Sequence, residues 1–496
     1  MTIIQVETMR RLERRTIEAG TSGYELMRRA GAGAAAEIRE FMHGRDFSRA
    51  VVLVGRGNNG GDALVVAGLL GIPAEVLTTG PLAELRGEAA EAARDLSPDI
   101  PVRVTETLSS GDFRRGDLIV DGLLGTGFSG ELRPQFRNWI EAANGSGRPI
   151  VALDLPSGIG GDSGTASGPA IRATLTVTFG FPKRGLFRAD GPAACGRLRL
   201  VDIGLISPEA EADGEGEAFF AADAVKLLAR LPYDAYKNRR GQLLVAAGSA
   251  EYSGAAVLAA RAALRMGAGI VRLAVPARPY AALPGALIVR TVPSAEGSFD
   301  RESLPELEAM AAHSDAVVAG PGWGTRRGLG PVLGKLLEFP GALLLDADAL
   351  NTAAREPELW KRREKLVVTP HPGEAKRLAE AFGVPYSSDR VAFASALAKS
   401  LGAVTVLKGP QTVVAAPDGR WSLNTSGSPA LATAGSGDVL SGIIGALLAA
   451  TPQHPFEMAK LGVFLHGLAG ETRLPGLIAD DLPELAASVK SSLLSE

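Results

Sequence analysis

From residue 50 onward the sequence alternates between short, wholly apolar runs and stretches of helical period, and the runs end on glycine or aspartate. Residues 50–54, AVVLV, stop at Gly55 and lead into a helical stretch at 63–70. A run that is apolar at every position suits a strand buried on both faces, as in a parallel sheet covered by helices on either side. The pattern predicts further strands at 75–78, 117–121 and 150–154 with helices at 82–95 and 135–144, after two opening helices at 8–19 and 24–42. Such an order predicts a doubly wound sheet with a ligand crevice at the carboxyl ends of its strands. A polar, acidic stretch at 205–216, LISPEAEADGEG, then interrupts, and the alternation restarts with strands beginning at 242, 316, 343, 366 and 404. The 496 residues therefore read as two three-layer αβα domains, 1–213 and 214–496.

Composition narrows the partners. A formal net charge of −3 leaves no basic footprint for nucleic acid and no polybasic face for a membrane. The single Cys195 has no partner for an internal disulfide, and there is no Cys/His cluster of zinc type. The N-terminal residues lack the apolar core of a signal peptide, so the expectation is a cytoplasmic protein with neither nucleic acid nor membrane as partner.

Three loops leave strand ends in the first half. GRGNNGGDA, residues 55–63, carries four glycines, the amides of Asn58 and Asn59, and Asp62. Its glycines, Gly60 and Gly61 among them, permit close backbone approach, and its amides offer oxygen to a cation or donors to phosphate. It lacks GxGxxG spacing. DGLLGTGFSGELR, residues 121–133, opens on Asp121 and continues as a glycine-rich segment able to fold over a phosphate or nicotinamide. LDLPSGIGGDSG, residues 153–164, places Asp154 at a strand end ahead of a turn fixed by Pro156, Ser157 and Gly158. Each loop taken singly is more often a plain βα turn; three at one sheet edge, where strand ends converge, point to a site.

GNNGGD, DGLLGTG, LDLPSG, TVTFGFPKRGL at 176–186 and the early LMRRAG together resemble the YjeF N-terminal family of NAD(P)H-hydrate epimerases, over residues 8–204. The resemblance implies that Asn58, Asn59, Gly60, Gly61 and Asp62 bind the dinucleotide, and that Gly125, Thr126, Gly127, Phe128, Ser129, Gly130 and Glu131 cover the substrate. It further implies potassium held by Asn59, Asp121 and Ser157, and Asp154 as acid/base at the nicotinamide ring. Ala63 departs from the family pattern, which has glycine there, and puts only fine packing in question.

The second half is organised around ATAGSGDVLSGIIGALLAA, residues 432–450. Small residues Gly435, Ser436 and Gly437 run into an apolar helix whose N-terminus offers unpaired N–H groups and partial positive charge, an anion hole with Asp438 at its mouth. A carboxylate there suits removal of a proton from a hydroxyl attacking a phosphoryl group, although it equally suits a helix cap. His371, between two prolines, is either a cleft residue or a turn residue bonded to backbone. Asp346 and Asp348 read as helix caps, with magnesium or substrate contact the lesser option. Lys408 reads as a phosphate partner or a solvated tip.

The ordered set GSxxxSGA, GPGWG, LDADALN, TPHPGE, LKGxxT and AGSGD resembles the YjeF C-terminal family of ADP- or ATP-dependent NAD(P)H-hydrate dehydratases, which have a ribokinase-like fold, from about residue 219 to the C-terminus. It implies that Ala255, Gly322, His371 and Asp438 contact the hydrated nucleotide. It also implies that Lys408, Gly409, Pro410, Gln411 and Thr412, with Gly435, Ser436 and Gly437, bind ADP or ATP with magnesium. The two resemblances together imply a bifunctional repair enzyme: one half interconverts the R and S hydrates of NADH or NADPH, and the other phosphorylates the C6 hydroxyl of the S form and eliminates phosphate. The expected partners are NAD(P)HX and ADP or ATP, and the expected assembly is a homo-oligomer, a tetramer or larger. The rival reading is a ribokinase-like small-molecule kinase fused to a nucleotide-binding or scaffold module, because fold alone does not set function.

Overall fold

The computed structural model describes the chain apart from residues 129, 207–213, 229–231, 235, 278–281, 327, 473–475 and 496. Two compact units, Met1–Ala218 and Phe219–Glu496, divide it. The boundary expected after residue 213 falls at the edge of a stretch outside the described residues.

The first unit is built on a seven-stranded, all-parallel sheet in the spatial order Val102–Val104, Ala74–Thr78, Arg49–Val54, Asp117–Gly122, Ile150–Leu153, Leu175–Phe179, Arg197–Val201. Strand order reverses between Arg49–Val54 and Asp117–Gly122, the topological switch at which doubly wound sheets open a crevice. Alternate side chains of one strand enter different cores. Ala50, Val52 and Val54 pack with the helices Val6–Glu18, Gly23–Met42 and Asn58–Leu69, whereas Val51 and Leu53 pack with Trp139 and Ile140 of helix Pro134–Gly145. That is the three-layer arrangement.

Two local readings change. The stretch expected as a helix over 82–95 breaks into a 3-10 turn, Leu82–Glu84, and the helix Gly87–Asp95, whose first residue has φ +57 and so cannot continue the preceding turn. The glycine-rich loop after the first strand is shorter than expected: Asn58 to Asp62 already form the opening turn of helix Asn58–Leu69.

The second unit carries a ten-stranded sheet in the order Ile288–Thr291, Ile270–Val275, Gln242–Ala246, Ala316–Ala319, Ala342–Leu345, Leu366–Val368, Val404–Leu407, Val413–Ala415, Trp421–Asn424 and Glu217–Phe219, the last being where the chain crosses the unit boundary. It is parallel through Val404–Leu407 and antiparallel through the next two strands. Helix Ser436–Ala450 lies buried against helix Ser253–Met266. Gly442 makes this possible, since a Cβ there would stand 2.1 Å from the carbonyl of Ala259. No helix among the described residues is long and apolar enough to cross a membrane.

Candidate active sites

In the first unit a cleft of ≈ 660 Å³ opens at the strand ends. Asn58, Asn59, Asp62, Gly125, Thr126, Gly127, Phe128, Glu131 and Asp154 line it, so residues distant in sequence share one wall. Gly60 and Gly61 do not line it. A Cβ on Gly60 would stand 2.1 Å from the carbonyl of Gly55, and one on Gly61 would meet Met27 at 2.6 Å, so both serve close packing of the helix start. Gly130 is also outside the lining, and Ser129 lies outside the described residues. Gly60 and Gly61 donate their N–H groups to Gly57 O, while those of Asn58 and Asn59 have no acceptor among the described residues, the state of the first N–H groups of a helix that suits an anion. Ala63 is fully buried, its methyl group occupying the space beside Gly122 where a Cβ would meet it at 2.4 Å.

Strand Ile150–Leu153 stops one residue short of the expected end, because Asp154 turns to φ +62. A non-glycine residue in that region costs of order 1–3 kcal/mol and persists where the surroundings hold it. Here they do: its N–H donates to Val177 O at 2.7 Å, and its carboxylate accepts from Thr178 Oγ1 at 3.1 Å and from Lys183 Nζ. Lys183 also donates to Phe179 O at 2.7 Å, and its side chain is 1% exposed. Sequence reasoning gave Lys183 no role.

Behind the cleft, Asp121 is fully buried. It accepts from Ser157 Oγ at 2.6 Å, Ser157 N at 2.9 Å and Leu123 N at 3.2 Å. Burial nevertheless pushes its carboxyl up to about 6 against those bonds. Asn59 donates to Leu124 O at 3.0 Å, which also accepts from Ser157 Oγ at 3.2 Å, and Asn59 Oδ1 is buried with no hydrogen-bond partner among the described residues. An orphaned amide oxygen beside a carbonyl, a hydroxyl and a buried acid lacking a counter-charge is a donor set that fits a hard monovalent cation.

The second unit's site gathers at the carboxyl ends of its parallel strands. Gly322 sits against the helix start, where a Cβ would lie 2.8 Å from Ala255 Cβ; the turn is anchored by fully buried Trp323, whose Nε1 donates to Ala246 O at 2.9 Å. Asp346 and Asp348 are not caps of the expected kind. Asp346, 1% exposed, accepts from Lys408 Nζ and from Ser441 Oγ, each at 2.8 Å, while Asp348 accepts from Gly324 N at 2.8 Å and Asn351 Nδ2 at 3.2 Å. Lys408 is therefore no solvated tip: burial alone would lower its pKa, but Asp346 and Glu374 hold it above the usual range. A Cβ on Gly437 would lie 3.4 Å from Lys408 Nζ, which sets the ammonium group beside the start of helix Ser436–Ala450.

Asp438, in that helix's first turn, is pushed up to about 7 by burial first and then by Asp346, with Lys408 opposing and Asp348 adding. Among the described residues the backbone N–H groups of Gly435, Gly437 and Asp438 have no acceptor, whereas that of Ser436 donates to Thr433 O at 3.3 Å. Ser436 Oγ turns inward to Nε2 of His466 at 3.1 Å, a buried imidazole whose pKa burial lowers to about 4. His371 is the N-cap of helix Pro372–Ala381: its Nδ1 accepts from Gly373 N at 3.0 Å, and its Nε2 lies 3.3 Å from Glu374. The backbone-bonded reading of His371 is thus correct, and a ring half exposed beside Lys408's field is compatible with the cleft reading as well. Segment 408–412 is braced by Arg390, which donates to Leu407 O at 3.0 Å, Lys408 O at 3.2 Å and Pro410 O; Gln411 has φ +47, and Thr412 Oγ1 donates to Gly409 O at 2.9 Å.

Among the described residues four non-glycine residues have positive φ, and Asp154, Ala347 and Gln411 border these two sites. The class this defines is a chain of two nucleotide-handling α/β enzymes, one with an Asp–Lys pair in its cleft and the other with a buried acid in the first turn of a helix. Comparison with known proteins gives the family. The YjeF-related protein N-terminus family matches residues 23–185, and the NAD(P)H-hydrate dehydratase family matches residues 243–488. The bifunctional NAD(P)H-hydrate repair enzyme Nnr of Coxiella burnetii is 36% identical over 97% of this chain and 98% of its own length, and that of Salinibacter ruber is 37% identical over 100% and 97%. A crystal structure of the ADP/ATP-dependent NAD(P)H-hydrate dehydratase from Bacillus subtilis, co-crystallised with ATP and Mg2+, is 25% identical, covers 56% of this chain and 99% of its own, and has a TM-score of 0.44. The chain belongs to the family of bifunctional NAD(P)H-hydrate repair enzymes.

Proposed function

We propose that the first unit interconverts the R and S hydrates of NADH and NADPH, and that the second dehydrates the S form at the expense of ADP or ATP. Hydration places a hydroxyl on C6 of the ring, next to nitrogen, so epimerisation needs proton transfer and no redox step. Asp154, steadied by Lys183, is the proton-transfer group, and the free N–H groups of Asn58 and Asn59 suit the pyrophosphate. Asn59, Asp121, Ser157 and the Leu124 carbonyl would hold potassium, whose charge would offset the buried Asp121 and fix the floor of the cleft.

Dehydration is harder because hydroxide leaves poorly. The observation that carries the reading is Asp438, a carboxyl pushed up to about 7 at a helix N-terminus whose N–H groups lack acceptors among the described residues, with Lys408 close by. Asp438 takes the hydroxyl proton, Gly435 and Gly437 with Lys408 stabilise the phosphoryl group in transfer, and the ring nitrogen expels phosphate to restore the double bond. Ala255, Gly322 and His371 would face the hydrated ring, and 408–412 with Gly435, Ser436 and Gly437 the adenine nucleotide. The expected magnesium finds no protein cage: both oxygens of Asp346 and of Asp348 are engaged, and no cluster of three His, Cys, Asp or Glu suited to a metal occurs among the described residues. It would arrive on the nucleotide phosphates, and no step here depends on it. A cytoplasmic homo-oligomer without nucleic-acid or membrane partners remains our reading of its setting, supported by the small net charge.

The test is incubation of the full chain with mixed hydrate epimers, with and without ADP or ATP. Growth of the NADH absorbance band with release of inorganic phosphate supports the reading; a stable phosphorylated product favours the small-molecule kinase instead.

A further inference from the structure

The cleft of the first unit contains more acid than one proton-transfer residue requires. Glu13, on helix Val6–Glu18, Asp62, on helix Asn58–Leu69, and Asp154, after strand Ile150–Leu153, all line it with a single buried cation, Lys183. Lys183 is committed to Asp154. The side chains of Glu13 and Asp62 make no hydrogen bond or ion pair among the described residues. Carboxylates taken out of water without a partner are costly, so such groups hold their protons. The charges facing Glu13 are Lys183 and Arg10, which favour its ionised form, and Asp154, Glu88 and Asp62, which oppose it; burial outweighs them and raises its pKa.

Resting on the epimerase reading, we propose that Glu13 is a second proton-carrying group, paired with Asp154 so that a proton can be given on one face of the hydrated ring and taken on the other. The chemistry asks for two. The C6–O bond breaks as the nitrogen lone pair forms a C6=N1 iminium, and the oxygen leaves as water with a proton from one carboxyl group. Water then adds to the opposite face, its proton passes to the second carboxylate, and the electron pair returns to nitrogen. Atoms, electrons and charge balance, and exchange with solvent restores both acids. A lone group on one wall serves one face only. Glu88 and Glu131 also line the cleft, but of the two acids whose field includes both Lys183 and Asp154 Glu13 is the better placed: Asp62 is 9% exposed and shut from exchange, whereas Glu13 is only partly buried.

The experiment follows epimer equilibration against pH in the full chain, with the wild-type thermal unfolding transitions as the folding control. Glu13→Gln is expected to lower kcat about 10- to 100-fold with KM unchanged and to remove one limb of the pH profile, and Glu13→Asp to restore much of both. Full kcat with both limbs in Glu13→Gln overturns the proposal. Should that variant not fold, the wild-type profile decides, since a single limb overturns it too. The rate without protein separates the two levels: equilibration no faster with the full wild-type chain than without it removes the epimerase reading itself, whereas accelerated equilibration that is slowed in Asp154→Ala but normal in Glu13→Gln removes only the inference.

Discussion

Replacing Asp438 by Asn should make the second unit more stable while stopping its chemistry. The carboxyl, normally near 3.8, is pushed up to about 7, a difference of about three units. A folded-state pKa above the unfolded one means the folded protein binds the proton more tightly. Stability is therefore lost as pH rises from about 4 to about 7, and the full penalty stands above that window. At about 1.4 kcal/mol per unit, three units set a ceiling of about 4 kcal/mol. Partial exposure screens the group, a buried amide costs about 1–3 kcal/mol, and the favourable carboxylate–helix interaction is lost, so the net gain expected at pH 8 is about 1–2 kcal/mol, vanishing near pH 4. Calorimetry at pH 8 and pH 5, following the transition that ADP raises, reads this directly. In parallel, ADP-dependent dehydration should fall about 100-fold or more while epimer equilibration continues. A variant less stable than wild type at pH 8, or one with wild-type pH dependence, would refute the hostile field around Asp438, and undiminished dehydration would refute its role as base.

Asp121, pushed up to about 6, makes the cation-free first unit less stable as pH rises from about 4 to about 6, so at pH 8 potassium in place of tetramethylammonium at equal ionic strength should raise its unfolding temperature. Asn59→Ala, which removes the orphaned oxygen, should abolish the response; equal temperatures in the two salts for the wild type would exclude the site. His466→Phe should release Ser436 Oγ and raise the KM for ADP about tenfold with a smaller change in kcat, and His466→Gln, which keeps a hydrogen-bonding group, should restore most of it. An unchanged KM in His466→Phe would leave the imidazole with packing alone.

The sheets were legible because strands such as 50–54 and 343–345 are apolar on both faces, a pattern only a helix-covered parallel sheet satisfies. The start of helix Asn58–Leu69 was not, because Asn-Asn-Gly-Gly is poor helix-forming sequence and is held there by Gly57 O and by the glycine contacts with Gly55 and Met27, which are tertiary. The single residues Asp154 and Asp438 stood out from strand-end and helix-start patterns, which are local. What surrounds them was hidden. Lys183 reads locally as one cation in a Pro-Lys-Arg run, and only the fold buries it against Asp154, 29 residues earlier. Asp346 precedes a helix and so resembles a cap, yet its partners Lys408 and Ser441 come 62 and 95 residues later.

That last pairing decides how the two sites differ. In the first unit the lysine bonds the acid directly, whereas in the second Asp346 holds Lys408 and leaves Asp438 without a hydrogen-bonded cation. Asp346→Asn tests whether this matters. The amide removes the largest charge opposing ionisation of Asp438 and frees Lys408, the charge that favours it, to approach Asp438, so both effects lower the acid's pKa. The carboxamide oxygen can still accept from Lys408 or Ser441, which limits the structural damage. Since burial leads the causes of the shift, the charge contribution is the smaller part, and the limb of the dehydration pH profile near about 7 should move down by about one unit, equivalent to about 1.4 kcal/mol. Lys408→Met should move the same limb upward, with weaker nucleotide binding. Shifts of the same sign in the two variants, or none in either, would show that the limb belongs to some group other than Asp438, because no carboxyl set between these two charges can respond alike to the loss of both.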